Sequence, residues 1–241
     1  MYYDINAYNS ISSDINFRGR NTPSENTTTI DYTGVDTSYN YKSYLESKGL
    51  SNNISWNTDY TKTFEDNEEK ELSLSYQLGN RIRDNIKESY ENDSSIYLKN
   101  INEEQNIEQT VQMDYTHPIN DHIVEIGGKV IVRDQEMDYE TESENEDYAF
   151  DNEIFNYVQT VSAGYLSSNI SLPNDYSLKA GTRYEHTKIE GDWKNGSEEE
   201  FEENYSNILP NLTFSKKLDV GKSINMSYNS RISRPSSRYI N

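Results

Sequence analysis

The sequence predicts an all-β protein: an antiparallel transmembrane β-barrel wall of about ten strands, part of a larger barrel of about 22. Three observations carry that expectation. First, Tyr176–Ile232 alternates with a period of two. Tyr176, Leu178, Ala180, Thr182 and Tyr184 share one parity, and Ser177, Lys179, Gly181, Arg183 and Glu185 the other. Leu212, Phe214 and Leu218, then Met226, Tyr228 and Ile232, repeat the pattern against Asn211, Thr213, Ser215 and Lys217, then Asn225, Ser227, Asn229 and Arg231. Such strands show lipid one face and water the other. Second, connection lengths alternate. Short turns fall near Asn21–Thr27, Glu65–Glu71, Pro118–Asp121, Leu172–Asp175 and Asp219–Gly221. Longer acidic ones fall near Glu88–Glu104, Asp134–Asn152 and Lys194–Asn204. Short periplasmic turns and long external loops produce this rhythm, and a β-sandwich has no reason to. Third, only 32% of residues are hydrophobic, yet 21 are tyrosine. A disordered chain is poor in aromatics, whereas a barrel wall wets half of every strand.

Taken in order, Met1–Arg20 alternates imperfectly, with Tyr3, Ile5 and Ala7 and then Ile15 and Phe17 on one face. Asn21–Thr27, with Pro23, reads as a turn. Thr28–Tyr44 reads as one strand and Leu45–Leu50, with Gly49, as a short loop. Ser51–Phe64 is a clean strand through Ile54, Trp56, Thr58, Tyr60 and Phe64. Leu72, Leu74, Tyr76 and Leu78 open the next, continuing through Arg81 and Arg83. Ile107–Tyr115 and Val124–Arg133 form a hairpin around Pro118–Asp121. Glu153–Ile170 is apolar at Phe155, Tyr157, Val161, Ala163 and Tyr165, while Val158 and Leu166 break phase, which a β-bulge would explain.

Composition also excludes classes. Net charge is -20, which disfavours nucleic acid, since phosphate binding needs clustered Lys and Arg. There is no cysteine, hence no disulfide frame or thiolate metal site. No stretch approaches the roughly 18 apolar residues of a membrane helix. Met1–Tyr8 carries Asp4 and lacks the basic-then-apolar pattern of a signal peptide, so residues 1–241 are expected to be a partial barrel domain.

Four motifs in sequence carry a family resemblance. Tyr228-Asn229-Ser230-Arg231-Ile232-Ser233-Arg234-Pro235, followed by Tyr239-Ile240-Asn241, resembles the Y-S-x-R-I-x-R-P…L-N-P stretch of TonB-dependent-receptor-like outer-membrane β-barrel proteins of the Bacteroidota type. Leu178–Thr187 (LKAGTRYEHT), Tyr115–Arg133 and Tyr205–Phe214 (YSNILPNLTF) are similar to three further strands of that family. They cover about the last 130 residues; the first hundred match in style only. The resemblance implies a Gram-negative outer membrane location, lipid contact, an N-terminal plug domain, TonB energy coupling and nutrient import, with a surface lipoprotein as a further partner. The chain stops at Asn241, where the family continues with Pro and more strands, so plug and closing strands are expected to lie outside it.

Candidate site residues follow from parity. Lys129, Arg133, Lys179, Arg183, Glu185 and Arg231, with Arg234, are expected to face the lumen, supporting a plug or the wall itself by cross-strand pairs. Tyr115, Tyr157, Tyr176 and Tyr184 suit membrane-interface girdles; carbohydrate stacking is the rival reading. Val220-Gly221-Lys222-Ser223 lacks the first Gly of a phosphate loop and reads as a turn. Gly127-Gly128 lets the wall bend or a plug approach. His117 and His122 flank one turn, but two ligands make a poor metal site, and His186 sits at an interface. The carboxylates of Glu136–Glu153 and Glu198–Glu203 read as solvated loops, with divalent cation binding as the alternative. No catalytic constellation, cofactor or metal site is expected. The competing classes are a non-transport surface or assembly barrel and a soluble acidic adhesin or carbohydrate-binding module.

Overall fold

The computed structural model describes residues 1–34, 38–91, 97–143, 150–194 and 200–234. Ten strands lie in it: β1 Tyr2–Asn6, β2 Asn9–Thr33, β3 Ser38–Phe64, β4 Asn67–Glu91, β5 Tyr97–Ile119, β6 His122–Ser143, β7 Phe150–Leu172, β8 Tyr176–Lys194, β9 Phe201–Asp219 and β10 Lys222–Asn229. They form one sheet in the order β1 to β10, every neighbouring pair antiparallel. The expected all-β, ten-stranded wall is therefore present. Its lower end carries the short turns Ala7–Tyr8, Glu65–Asp66, Asn120–Asp121, Pro173–Asp175 and Val220–Gly221. Left-handed backbone closes three of them, at Asn120, at Asn174 and Asp175, and at Gly221.

The strands are far longer than expected. β2 to β9 run 19 to 27 residues. A bilayer crossing needs about 9–11. The surplus consumes most of the expected acidic loops. Glu88–Glu104 is strand up to Glu91 and from Tyr97, and Asp134–Asn152 is strand up to Ser143 and from Phe150. Charge does not prevent pairing here, because opposite charges meet: across strands Lys99 donates to Glu142 at 2.8 Å and Lys188 contacts Glu202 at 3.5 Å, and along β8 Lys188 contacts Glu190 at 2.9 Å.

The N-terminal third corrects three expectations. Asn21–Thr27 is no turn; it pairs residue for residue with Tyr44–Leu50 of β3, so Leu45–Leu50 is no loop either. Thr28–Tyr44 is two strand ends, since Thr33 faces Ser38 across the reversal. Pro23 is tolerated because of where its missing N–H would point. Thr63 donates to the Tyr8 carbonyl, which fixes even residues of β2 as hydrogen-bonded to β3. Odd residues turn their N–H toward β1, and β1 reaches only as far as Ser12 and Ser13. Pro23 therefore leaves no bond to β3 unmade.

The expected bulge in Glu153–Ile170 is also absent. β7 keeps unbroken register with β6 from Asn169 to Glu153 and with β8 from Leu172 to Ile154. The broken phase has a different cause, which lies in the two faces of the wall.

Candidate functional site

Register assigns every side chain to a face. Leu178 lies beside Ile170 and Phe214, and Phe214 beside Met226. The same face carries Ile15, Phe17, Ile54, Trp56, Leu74, Val111, Met113, Ile126, Val130, Leu166 and Ile208, all exposed. On the opposite face Thr110, Gln159, Val161, Glu185 and Thr187 are buried, although no second layer covers them among the described residues. A single sheet crowds its side chains only where it curves toward them, so this is the concave, inner face.

The outer face is apolar over one membrane span and no further. On β8 the span runs from Tyr176 to Tyr184, and on β6 from Val124 to Val132. Tyr184 is level with Gly164 and Gly128, four residues short of Val132, so the band climbs from strand to strand as tilted strands require. Its lower edge is aromatic and basic. Tyr115 meets Phe64 edge-on at 6.3 Å, with Lys62 and Lys70 within 5.1 Å and 4.7 Å of the Phe64 ring. Tyr176 stacks on Phe214 at 5.4 Å, and Lys216 donates to the Tyr176 hydroxyl at 2.7 Å. Aromatic rings flanked by lysines are the pairing that a membrane interface favours. Tyr184 and His186 share Ser206 at 3.0 Å and 2.9 Å at the upper edge of β8. Three of the four expected girdle tyrosines thus lie on the outer face. Tyr157 does not: it is buried on the inner face.

Above the apolar band, polarity inverts. The outer side chains of β6 become Asp134, Glu136, Asp138 and Glu140, and those of β8 become Lys188, Glu190 and Asp192. The inner ones become Met137, Phe155, Tyr157 and Ile189, a buried cluster flanked by Tyr139, Trp193, Phe201 and Tyr205. Phe155 is its centre, fully buried, 4.5 Å from Trp193 and 6.5 Å from the stacked Phe201. Each such side chain contributes about 1.5–3 kcal/mol by leaving water. Phe201 lies over Gly191, where a Cβ would collide with the ring. Val158 and Leu166 are outer residues of β7, and Phe155, Tyr157, Val161, Ala163 and Tyr165 inner ones. β7 runs straight: Leu166 belongs to the outer band and Phe155 and Tyr157 to the inner cluster above it, while Val158 faces outward above the band and Ala163 and Tyr165 face inward at band level.

The expected lumen residues Lys129, Arg133, Lys179, Arg183 and Glu185 all fall on the inner face by register. Most are paired. Arg133 donates to Glu108 and, at 2.9 Å, to Gln159, which donates to the Tyr157 hydroxyl at 3.0 Å. Burial among the aromatic cluster, with Tyr205 nearby, pushes the Tyr157 phenol above its ordinary value. Lys179 reaches Glu125 at 3.5 Å. Glu185 accepts from Arg183 on its own strand and from Arg234 beyond β10, tying the segment after Asn229 back across β9 to β8. Lys129 and Arg231 make no ion pair among the described residues. Gly127 serves a side chain: the Tyr165 ring covers it and its hydroxyl donates to Asp114. His117 pairs with Tyr115 at 3.1 Å and His122 accepts from the Ser171 N–H at 3.2 Å, so the two take separate partners.

Sequence reasoning overlooked a second group. Arg18 faces Asn53, which faces Arg81; Arg20 faces Ser51, which faces Arg83. The signal was present as two Arg-x-Arg pairs, whose spacing of two places both guanidiniums on one face.

A meander with an apolar outer band edged by aromatic rings and a polar inner wall defines a membrane-spanning β-barrel protein. The chain belongs to the outer membrane protein beta-barrel family, whose model matches residues 64–241, which starts earlier than the motifs quoted above. Its place is the outer membrane. No curated protein matches. Among solved structures, the closed form of the ferric-catecholate import receptor Fiu from E. coli K12 is similar at TM-score 0.58 and 9% identity, with 95% of this chain and 47% of that one covered. BauA, the ferric preacinetobactin receptor from Acinetobacter baumannii, gives 0.52, 8%, 94% and 43%. The ferric citrate transporter FecA gives 0.51, 11%, 88% and 35%. The chain spans less than half the length of these three, and at such identities the likeness is one of fold.

Proposed function

We propose that the chain is part of the wall of a TonB-dependent uptake barrel of the Bacteroidota type, importing a nutrient too large or scarce for porins. The observation that carries this reading is the inner wall: charged, hydrogen-bonded and continuous from the lower turns to the aromatic cluster. A wall needs its backbone sealed against lipid; the ladder does that for β3 to β8, and further strands of the barrel would close its two edges. The inner face would line the lumen. Arg133, Lys179, Arg183, Glu185 and Arg234 would hold the wall in shape and, with Lys129 and Arg231, offer charges to a plug domain. TonB would supply the energy, and a surface lipoprotein could cover the mouth. Tyr115, Tyr176 and Tyr184 would anchor the wall at the headgroups.

The test is genetic. A strain lacking the gene is expected to lose growth on at least one scarce nutrient, to regain it with the gene restored, and to lose it again when TonB is removed. Unchanged growth and uptake across a broad nutrient panel would favour a non-transport surface or assembly barrel.

A further inference from the structure

We infer that the inner face of β2–β4 holds a binding site for a compact anion bearing two or more carboxylate or phosphate groups. Arg18 and Arg20 line one side, Arg81 and Arg83 the other, with Ser51 and Asn53 of β3 between them. Neighbouring strands are about 4.8 Å apart, so the two arginine pairs stand roughly 10 Å apart across a floor of short side chains. That floor continues upward through Gly49 and Ser47, and a recess of about 580 Å³ opens there, lined by Arg20, Thr22, Gly49, Arg83 and Asn85 among others, with Asp84, an outer residue by register, as its one carboxylate. The rows lie at the upper edge of the apolar band, just beyond Phe17 on β2 and level with Ile82 on β4.

What sets these arginines apart is their grouping: four stand together on one face, and three of them, like Arg231, have no carboxylate partner among the described residues. The chain has 42 acidic residues against 22 Lys and Arg, so a guanidinium here has every opportunity to pair. Arg133, Arg183 and Arg234 do pair. Arg18, Arg20 and Arg81 are exposed and make no hydrogen bond or ion pair among the described residues. Arg83 has one carboxylate, Glu104 at 3.3 Å, which orients it toward β5. On β5 the neighbour of Arg81 is Asn106, not a carboxylate. Arg is the side chain that grips carboxylate and phosphate by two parallel hydrogen bonds, and four forks around a neutral floor match an anion with several oxygens. A monocarboxylate can engage only one fork. The site is read as part of the uptake route, and so rests on the proposed function for its role but not for binding itself.

The experiment is calorimetric titration of the purified protein in detergent at low salt. The probes are tricarballylate and inorganic pyrophosphate, with acetate as the single-charge control. Tricarballylate or pyrophosphate is expected to bind at least about tenfold tighter than acetate, and which of the two wins assigns carboxylate or phosphate chemistry. Arg20→Gln with Arg81→Gln should weaken that binding about tenfold or more. Arg20→Lys with Arg81→Lys should fall between, keeping charge but losing the fork. Heat-modifiable gel mobility confirms that each variant is folded. Folded wild type that binds neither polyanion, or equal binding by the glutamine variant, overturns the site. Binding without nutrient uptake would keep the site and sink the import role; uptake without binding would do the reverse.

Discussion

Between Tyr176 and Glu185, β8 is apolar outside and charged inside: Leu178 and Tyr184 against Lys179, Arg183 and Glu185. Between His186 and Lys194 it is the other way round, with Lys188, Glu190 and Asp192 outside and Ile189 and Trp193 inside. The backbone ladder is the same in both halves. What changes is the solvent. Lipid touches the outer face of the lower half and forbids charge there. Water touches the outer face of the upper half, and the apolar side chains must find each other on the inside. A strand in this wall obeys two opposite rules in one pass.

Four substitutions or conditions would break or sharpen that contrast. Phe155→Ala should have the largest effect, about 3–5 kcal/mol, because it empties the centre of the upper cluster. The readout is protease sensitivity of the strands above the membrane, and Phe214→Ala on the lipid face should leave it unchanged. Equal effects from the two would mean that the upper half has no core of its own. Next, Ala180→Arg should cost about 2–4 kcal/mol as a cation in the bilayer, whereas Glu190→Arg, on the outer face of the upper half, should cost about 1 kcal/mol or less, the loss of its exposed pair with Lys188. Denaturant titration in bilayers measures both. A tolerated Ala180→Arg would place water where lipid is expected.

Glu185→Ala comes third. It leaves Arg183 and Arg234 without their shared acceptor. Both arginine side chains keep access to water, so a cost of about 1–2 kcal/mol is expected rather than the full penalty of a sealed pair. The segment after Asn229 should come free of the wall, which a spin label at Ser233 would report as faster motion. The smallest effect is alkaline. The Tyr157 phenol is raised by burial above 10.0, so unfolded chains ionise first and stability falls as pH rises past 10.0. Lys99 is raised above 10.5 by its hydrogen bond to Glu142, so its contribution is whole below 10.5 and is lost as pH climbs through the folded value. The upper half should therefore loosen first in strong alkali, seen as hydrogen exchange at Tyr157 before Leu178. Simultaneous loosening of both halves would contradict this.

How much was legible depended on which solvent each stretch meets. The faces of β8 to β10 could be read directly, because one rule, lipid out and water in, governs Tyr176–Glu185, Leu212–Phe214 and Met226–Tyr228. The lower turns were legible too, from Glu65, Asn120 and Gly221. Asp134–Ser143 was misread as a loop because acidity was taken for solvation of both faces. In truth its inner residues Met137 and Tyr139 are apolar, and its outer residues are acidic. Tyr157 was misplaced for the same reason: the lower rule was applied to an upper residue.

The period of two, the apolar band, the short turns and the two Arg-x-Arg pairs belong to the sequence alone, since each is a matter of spacing along one chain. Tertiary structure decided where strands end, which face of β7 is inner, and which side chains meet across strands. Those outcomes depend on register, and register is set by neighbours: Arg18 is level with Arg81 only because β3 aligns both with Asn53. Likewise Glu185 meets Arg234 only because β9 holds β8 on one side and the chain after β10 on the other.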